Sequence, residues 1–189
     1  MTALAPKLHA SPWQGVFYIT GGGSSLISQL LEVPGASHTV LEALVPYAEK
    51  SLAQLLGKAP EQAVATATAR ALAMAAYKQA NALAEGQNFG FGASASLVTH
   101  RAKKGQTRAH WAIQAAEFTH SFSLLLDAQH TRQDQETQLT EAFWQSIAWA
   151  FLDSSEAAGS TNRLAHLGIE TQTHAAQQQW QPLLKAPPH

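Results

Sequence analysis

A chain of 189 residues is long enough for one domain with a substantial core and rather short for two. Hydrophobic residues make up 46% and charged residues 13%, and the formal net charge of −1 offers no electrostatic footprint for nucleic acid or an anionic membrane face. With no cysteine, disulfides, zinc–thiolate sites and thiol nucleophiles are excluded, and no apolar run approaches the roughly 20 residues of a membrane helix. The N-terminus lacks the contiguous apolar stretch of a signal peptide, so the expectation is a soluble cytoplasmic protein. Its light surface charge favours a homo-oligomer. The nine histidines are dispersed without paired helical spacing, so neither a metal site nor a cofactor is expected.

Residues 1–14, with Pro6 and Pro12, read as an irregular leader. Gly15 to Thr20 predicts a buried strand, and Gly21-Gly22-Gly23 follow it. Ser24 to Glu32 predicts a helix with Ser24 as N-cap and Leu26, Ile27, Leu30 and Leu31 facing inward. Glycines at such a turn let the backbone approach a bound group, and the turn amides with the helix start can hold an anion or oxyanion. A second tight turn follows at Pro34-Gly35-Ala36-Ser37. Two such loops flanking one helix predict a pocket for a small polar or phosphorylated ligand. Thr39 to Val45 predicts a strand, and Tyr47 to Leu56 a helix ended by Gly57.

Glu61 to Glu85 carries the longest helical signal, smooth-sided with alanine and stopped by Gly86, so a sheet or helix can approach it closely. Asn88 to Val98 predicts a strand whose glycines admit tight packing or a ligand. Thr99 to Arg108 reads as a basic loop, and Ala109 to Ala115 with Thr119 to Leu126 as a hairpin. Thr131 to Leu152 predicts a helix with a stripe at Leu139, Phe143, Ile147 and Phe151. Residues 153–170 read as a polar linker. Thr171 to Leu184 reads as a glutamine-rich, helical tail able to dock Trp180, Leu183 and Leu184, and 153–189 together form a linker and tail. Strands interleaved with helices point to a three-layer α/β/α domain with a mixed sheet over residues 15–152.

The segment TGGGSSLISQLLEVPGASHTVLEALVPYAEKSLAQLLG, residues 20–57, resembles the C-terminal domain family of CinA, the competence- and damage-inducible protein. The resemblance covers roughly 15–152. It is stronger to a divergent branch in which the domain precedes a nucleotidyltransferase-like domain. On that pattern Gln179-Trp180-Gln181-Pro182-Leu183-Leu184 looks like a joining segment, which implies a nucleotidyltransferase partner. The family includes nicotinamide-nucleotide amidases, serine hydrolases that use a serine, a tyrosine and a lysine. The resemblance therefore implies a nicotinamide mononucleotide or related ligand. It puts the nucleophile on Ser37 and the tyrosine on Tyr47, with Thr20, Gly21, Gly22, Gly23 and Ser24 as ligand cradle or oxyanion hole. Arg108 or Arg132 would hold a phosphate.

The chain departs from the family pattern in three places. Leu52 stands at the lysine position, Thr20-Gly21-Gly22-Gly23 replaces Ser-Cys-Thr-Gly, and Ala36 replaces the first serine of the second turn. Lys50 is two residues off, about 200° around a helix, so His38 and Lys103-Lys104 are the remaining candidate bases. Three readings follow: a weak or altered amidohydrolase, a non-catalytic ligand-binding or regulatory module, and a structural oligomerisation domain. Ser37 can equally shape a turn and Tyr47 serve as a packed aromatic.

Overall fold

Alternation along the first strand decides the layering. In β1 (Trp13–Thr20), Phe17 and Ile19 join one apolar cluster and Val16 and Tyr18 another, and all four are buried. The computed structural model describes residues 4–100, 105–152, 163–177 and 181–182. Five further strands pair with β1: β2 (Val40–Leu44), β3 (Gln87–Ser96), β4 (Arg108–Gln114), β5 (Phe118–Leu125) and β6 (Glu170–Ala175). They form one sheet in the order β2-β1-β3-β4-β5-β6. β2, β1 and β3 run parallel, and β4, β5 and β6 continue antiparallel. Helices α1 (Leu4–His9), α2 (Ser25–Leu31) and α5 (Arg132–Phe151) pack on one face, and α3 (Glu49–Leu56) and α4 (Thr66–Leu83) on the other. The architecture is the expected three-layer α/β/α with a mixed sheet.

α4 and β3 approach each other closely. A Cβ added at Gly90 would sit 2.1 Å from the Ala73 carbonyl oxygen and 2.2 Å from the Tyr77 nitrogen. At Gly92 it would sit 2.2 Å from the Ala73 nitrogen. The glycines of the strand and the alanines of the helix are therefore two halves of one contact, backbone against backbone.

Several expectations are corrected. The leader is not irregular, because Ala5, Leu8 and His9 of α1 are buried. His9 Nε2 donates to the Leu30 carbonyl at 3.0 Å and Nδ1 pairs with the Thr39 hydroxyl at 2.8 Å, tying α1 to the end of α2 and the start of β2. In α2, Leu26 and Leu30 are buried but Leu31 is 56% exposed, one step round the helix from the buried pair. The long helix begins at Thr66, not Glu61. The linker reading fails from residue 163 on, since 163–166 form a helical turn and Leu164 and Ile169 enter the core. Thr171 to Ala175 belong to β6, paired with β5, rather than to a helix. All six residues of that strand are exposed, so no apolar alternation marks it in the sequence. Residues 153–162, Lys103, Lys104, Trp180, Leu183 and Leu184 lie outside the described residues.

Gly90→Ala should cost about 3 kcal/mol or more in urea denaturation, because α4 must lift from β3. Gly105→Ala, with nothing within 4 Å of an added Cβ, should stay within about 0.5 kcal/mol of the parent.

A second prediction concerns pH. His120 of β5 sits between the rings of Phe118, at 4.1 Å, and Trp149, at 4.5 Å, and its Nδ1 pairs with the Thr173 hydroxyl at 2.9 Å. Burial pushes its pKa down to about 4. The unfolded value is about 6.5, so the neutral ring contributes fully above that pH and loses its contribution as pH falls toward 4. Calorimetry should show a smaller loss of Tm between these pH values in His120→Phe than in the parent.

Candidate functional site

After β1 the chain leads through α2 to β2, whereas after β3 it turns the other way to β4. Where neighbouring parallel strands send their chains apart, a crevice opens beyond their carboxyl ends, the usual ligand position of open α/β sheets. A cleft of about 420 Å³ lies there, lined by Ile19, Gly21, Gly22, Ser24, Val45, Tyr47, Arg132, Gln133 and Glu136.

The triple-glycine turn forms one wall, and its packing accounts for the glycines. Gly21 has φ +82° and Gly23 φ +84°, a region L side chains rarely adopt. An added Cβ at Gly21 would meet the Ala95 carbonyl oxygen at 1.9 Å, and one at Gly23 the Phe143 ring at 2.1 Å. Bare backbone is needed to seat the turn against β3 and α5.

Two amides at this turn, those of Gly23 and Ser25, are already occupied by the protein's own carboxylate. Gly23 N–H donates to Glu136 Oε2 at 2.8 Å and Ser25 N–H to Oε1 at 3.4 Å. The Ser24 and Ser25 hydroxyls reach Oε1 at 3.5 Å. Ser24 itself makes no side-chain cap, so Glu136 of α5 caps α2 in its place. Arg132, one helical turn earlier, donates to the carbonyls of Val98 at 3.2 Å and Gly21 at 3.4 Å, bridging the ends of β3 and β1. The start of α5 is held there by a capping box of Thr131 and Asp134, whose carboxyl is lowered by its hydrogen bonds to Thr131. Gln135, fully buried, accepts from Val98 N–H at 2.7 Å and donates to the Asp127 carbonyl at 2.8 Å. Thr20 donates to the Pro46 carbonyl at 3.0 Å, which fixes the segment leading to Tyr47 beside the turn.

Of the sequence-predicted residues, Gly21, Gly22, Ser24 and Tyr47 meet at the cleft. Thr20 and Gly23 support the turn from behind. Ser37 does not join them. β1 and β2 run parallel with Gly15 opposite Val40 and Tyr18 opposite Leu44, so residues before Val40 lie at the amino end of β1. The glycine turn follows its carboxyl end, about 16 Å of strand away. Ser37 sits exposed in a 3-10 turn (Ala36–His38), beside α1. The expected pocket between the two turns is thus corrected: strand direction sends them to opposite ends of β1 and β2, and His38 goes with Ser37. Leu52 is buried with Val16, Tyr18 and Leu72, and Lys50 is exposed. Arg108 points to the α4 face, where it donates to the Val64 carbonyl at 3.4 Å, so Arg132 is the arginine at the cleft.

Sequence reasoning missed Glu136 and Gln133. The capping box and the apolar stripe place α5 well, yet nothing in them says which turn its first polar residues reach. Glu136 meets a glycine 113 positions earlier.

Replacing Glu136 by alanine should lower stability by about 1–2 kcal/mol in urea denaturation. It should also free the turn amides, so that inorganic phosphate raises the Tm of the variant more than that of the parent. An equal rise in both would mean that Glu136 does not close the turn.

No family model matches the sequence, and no curated protein does. Solved structures do resemble the fold. The competence/damage-inducible protein CihA of Agrobacterium tumefaciens is 16% identical, with a TM-score of 0.63 over 78% of this chain and 93% of that one. A CinA superfamily protein of Enterobacter cloacae is 15% identical, with a TM-score of 0.63 over 77% of this chain and 89% of that one. A competence or damage-inducible protein of Enterobacter asburiae is 16% identical, with a TM-score of 0.59 over 88% and 97%. The chain has the fold of the CinA-like, competence/damage-inducible proteins.

Proposed function

We propose that the crevice beyond β1 and β3 binds a mononucleotide, with nicotinamide mononucleotide or a close relative as the ligand class. The observation that carries this reading is the convergence of the glycine turn, Tyr47 and Arg132 on one cleft. Its size suits a small ligand. Tyr47, 68% exposed, offers a ring face on which a planar base can stack. Arg132 brings a planar guanidinium whose fork matches phosphate. Because Glu136 already takes the Gly23 and Ser25 amides and brings its own negative charge there, we place the phosphate at Arg132 and not at the helix start.

Binding without hydrolysis is the favoured form of this function. Amide hydrolysis needs a nucleophile and a base at the bound carboxamide. Ser37 lies at the other end of the strands, and the position of the family lysine is the packed Leu52. The serine lining the cleft is Ser24, whose hydroxyl is 3.5 Å from Glu136 Oε1, and this pair is the observation that favours a second reading, an altered amidohydrolase.

Calorimetry with nicotinamide mononucleotide should detect binding that weakens about tenfold or more in Arg132→Gln, as loss of a charge-assisted contact predicts. Ser37→Ala should leave it unchanged, and no ammonia should be released. Failure to bind, or loss of binding in Ser37→Ala, would overturn the crevice reading. Ammonia release abolished by Ser24→Ala would replace the binding module with a hydrolase in the same cleft.

A further inference from the structure

A second and larger cavity, about 670 Å³, lies at the opposite end of the strands, where β1 and β3 begin. Trp13, Tyr77 and Phe118 form its aromatic walls, and the carboxylates of Glu85 and Glu117 flank it. Among the described residues, no lysine, arginine or histidine lines it. The rings are held in place from behind, Trp13 packing on Phe151 at 4.6 Å and on Phe118 at 6.5 Å. Asn81 and Ala84 bring the carboxyl end of α4 to the same wall, and the helix dipole adds partial negative charge there.

Asn88, also in the wall, is 6% exposed. Its Nδ2 donates to the Ala84 carbonyl at 2.6 Å and to Asn81 Oδ1 at 2.9 Å, contacts that set the amide orientation. Its Oδ1 is left buried with no hydrogen-bond donor. A carbonyl dipole without a donor leaves its negative end uncompensated behind this wall, which favours positive charge in the cavity.

We propose that this cavity is a binding site for an organic cation, a protonated or quaternary amine. Each feature acts in the same sense. Aromatic faces attract ammonium groups, carboxylates and a helix carboxyl end favour positive charge, and the cavity presents acceptors rather than cationic donors. An anion would meet two acidic residues and, among the described lining residues, no cationic side chain. The site shares no lining residue with the crevice, so it stands or falls apart from the function proposed above.

The test is calorimetry on the full chain at low ionic strength. The probes are choline, phenethylamine and the neutral tert-butyl analogue of choline, in which carbon replaces nitrogen. At least one cation should bind, and the analogue should bind at least about tenfold more weakly. Glu85→Gln, at an exposed position that leaves the fold intact, should weaken the cation about threefold and leave the analogue unchanged. Trp13→Leu should weaken the cation about tenfold, with Trp13→Phe retaining most of the affinity. Arg132→Gln, in the crevice, should change nothing. Absence of binding by either cation, equal affinity for choline and its analogue, or indifference to Glu85→Gln and Glu117→Gln combined would overturn the proposal.

Discussion

The contact on which the crevice depends is the carboxylate of Glu136 against the amides of Gly23 and Ser25. It joins the turn after β1 to the first turns of α5 and caps a helix that has no side-chain cap of its own. A short helix with uncapped amides frays, and a frayed α2 would not hold the turn. The same carboxylate decides what the turn can accept. Amides that already donate to a full negative charge do not present an empty anion hole, so the chemistry of the cleft shifts to Arg132, Tyr47 and the Ser24 hydroxyl.

Glycine in this chain is used for packing in two places that at first sight suggest a ligand. At Gly21 and Gly23 the missing side chains admit the Ala95 carbonyl and the Phe143 ring. At Gly90 and Gly92 they admit the backbone of α4. The alanine-rich α4 packs closely on the glycine-bearing β3, which lays the helix over the middle of the sheet, with a cavity at each end of the strands beneath it. Those ends are where the crevice and the aromatic cavity lie.

The sheet also separates what the sequence sets side by side. Ser37 follows the glycine turn by fourteen residues, but one helix and a reversal carry it the full length of β1. A structural likeness at 15–16% identity extends to the fold and not to the contents of the cleft. Leu52 shows the point most directly. Its position resembles that of a family lysine, yet it contributes to the core between α3 and the sheet.

By itself the sequence determined the layered α/β architecture, because alternation in β1, the hairpin of β4 and β5, the stripe of α5 and the stops at Gly57 and Gly86 are local patterns whose physics acts within a few residues. It determined as well that the first turn needs glycine and that α4 would be approached closely. The tertiary structure alone decided which residues share a cleft. Strand direction sent Ser37 to one end of the strands and Tyr47 to the other, α5 delivered Glu136 and Arg132 to a turn more than a hundred residues earlier, and β6 found its place by pairing with β5 without an apolar face of its own. These outcomes depend on contacts between distant segments, and no local pattern of residues encodes a distance across a sheet.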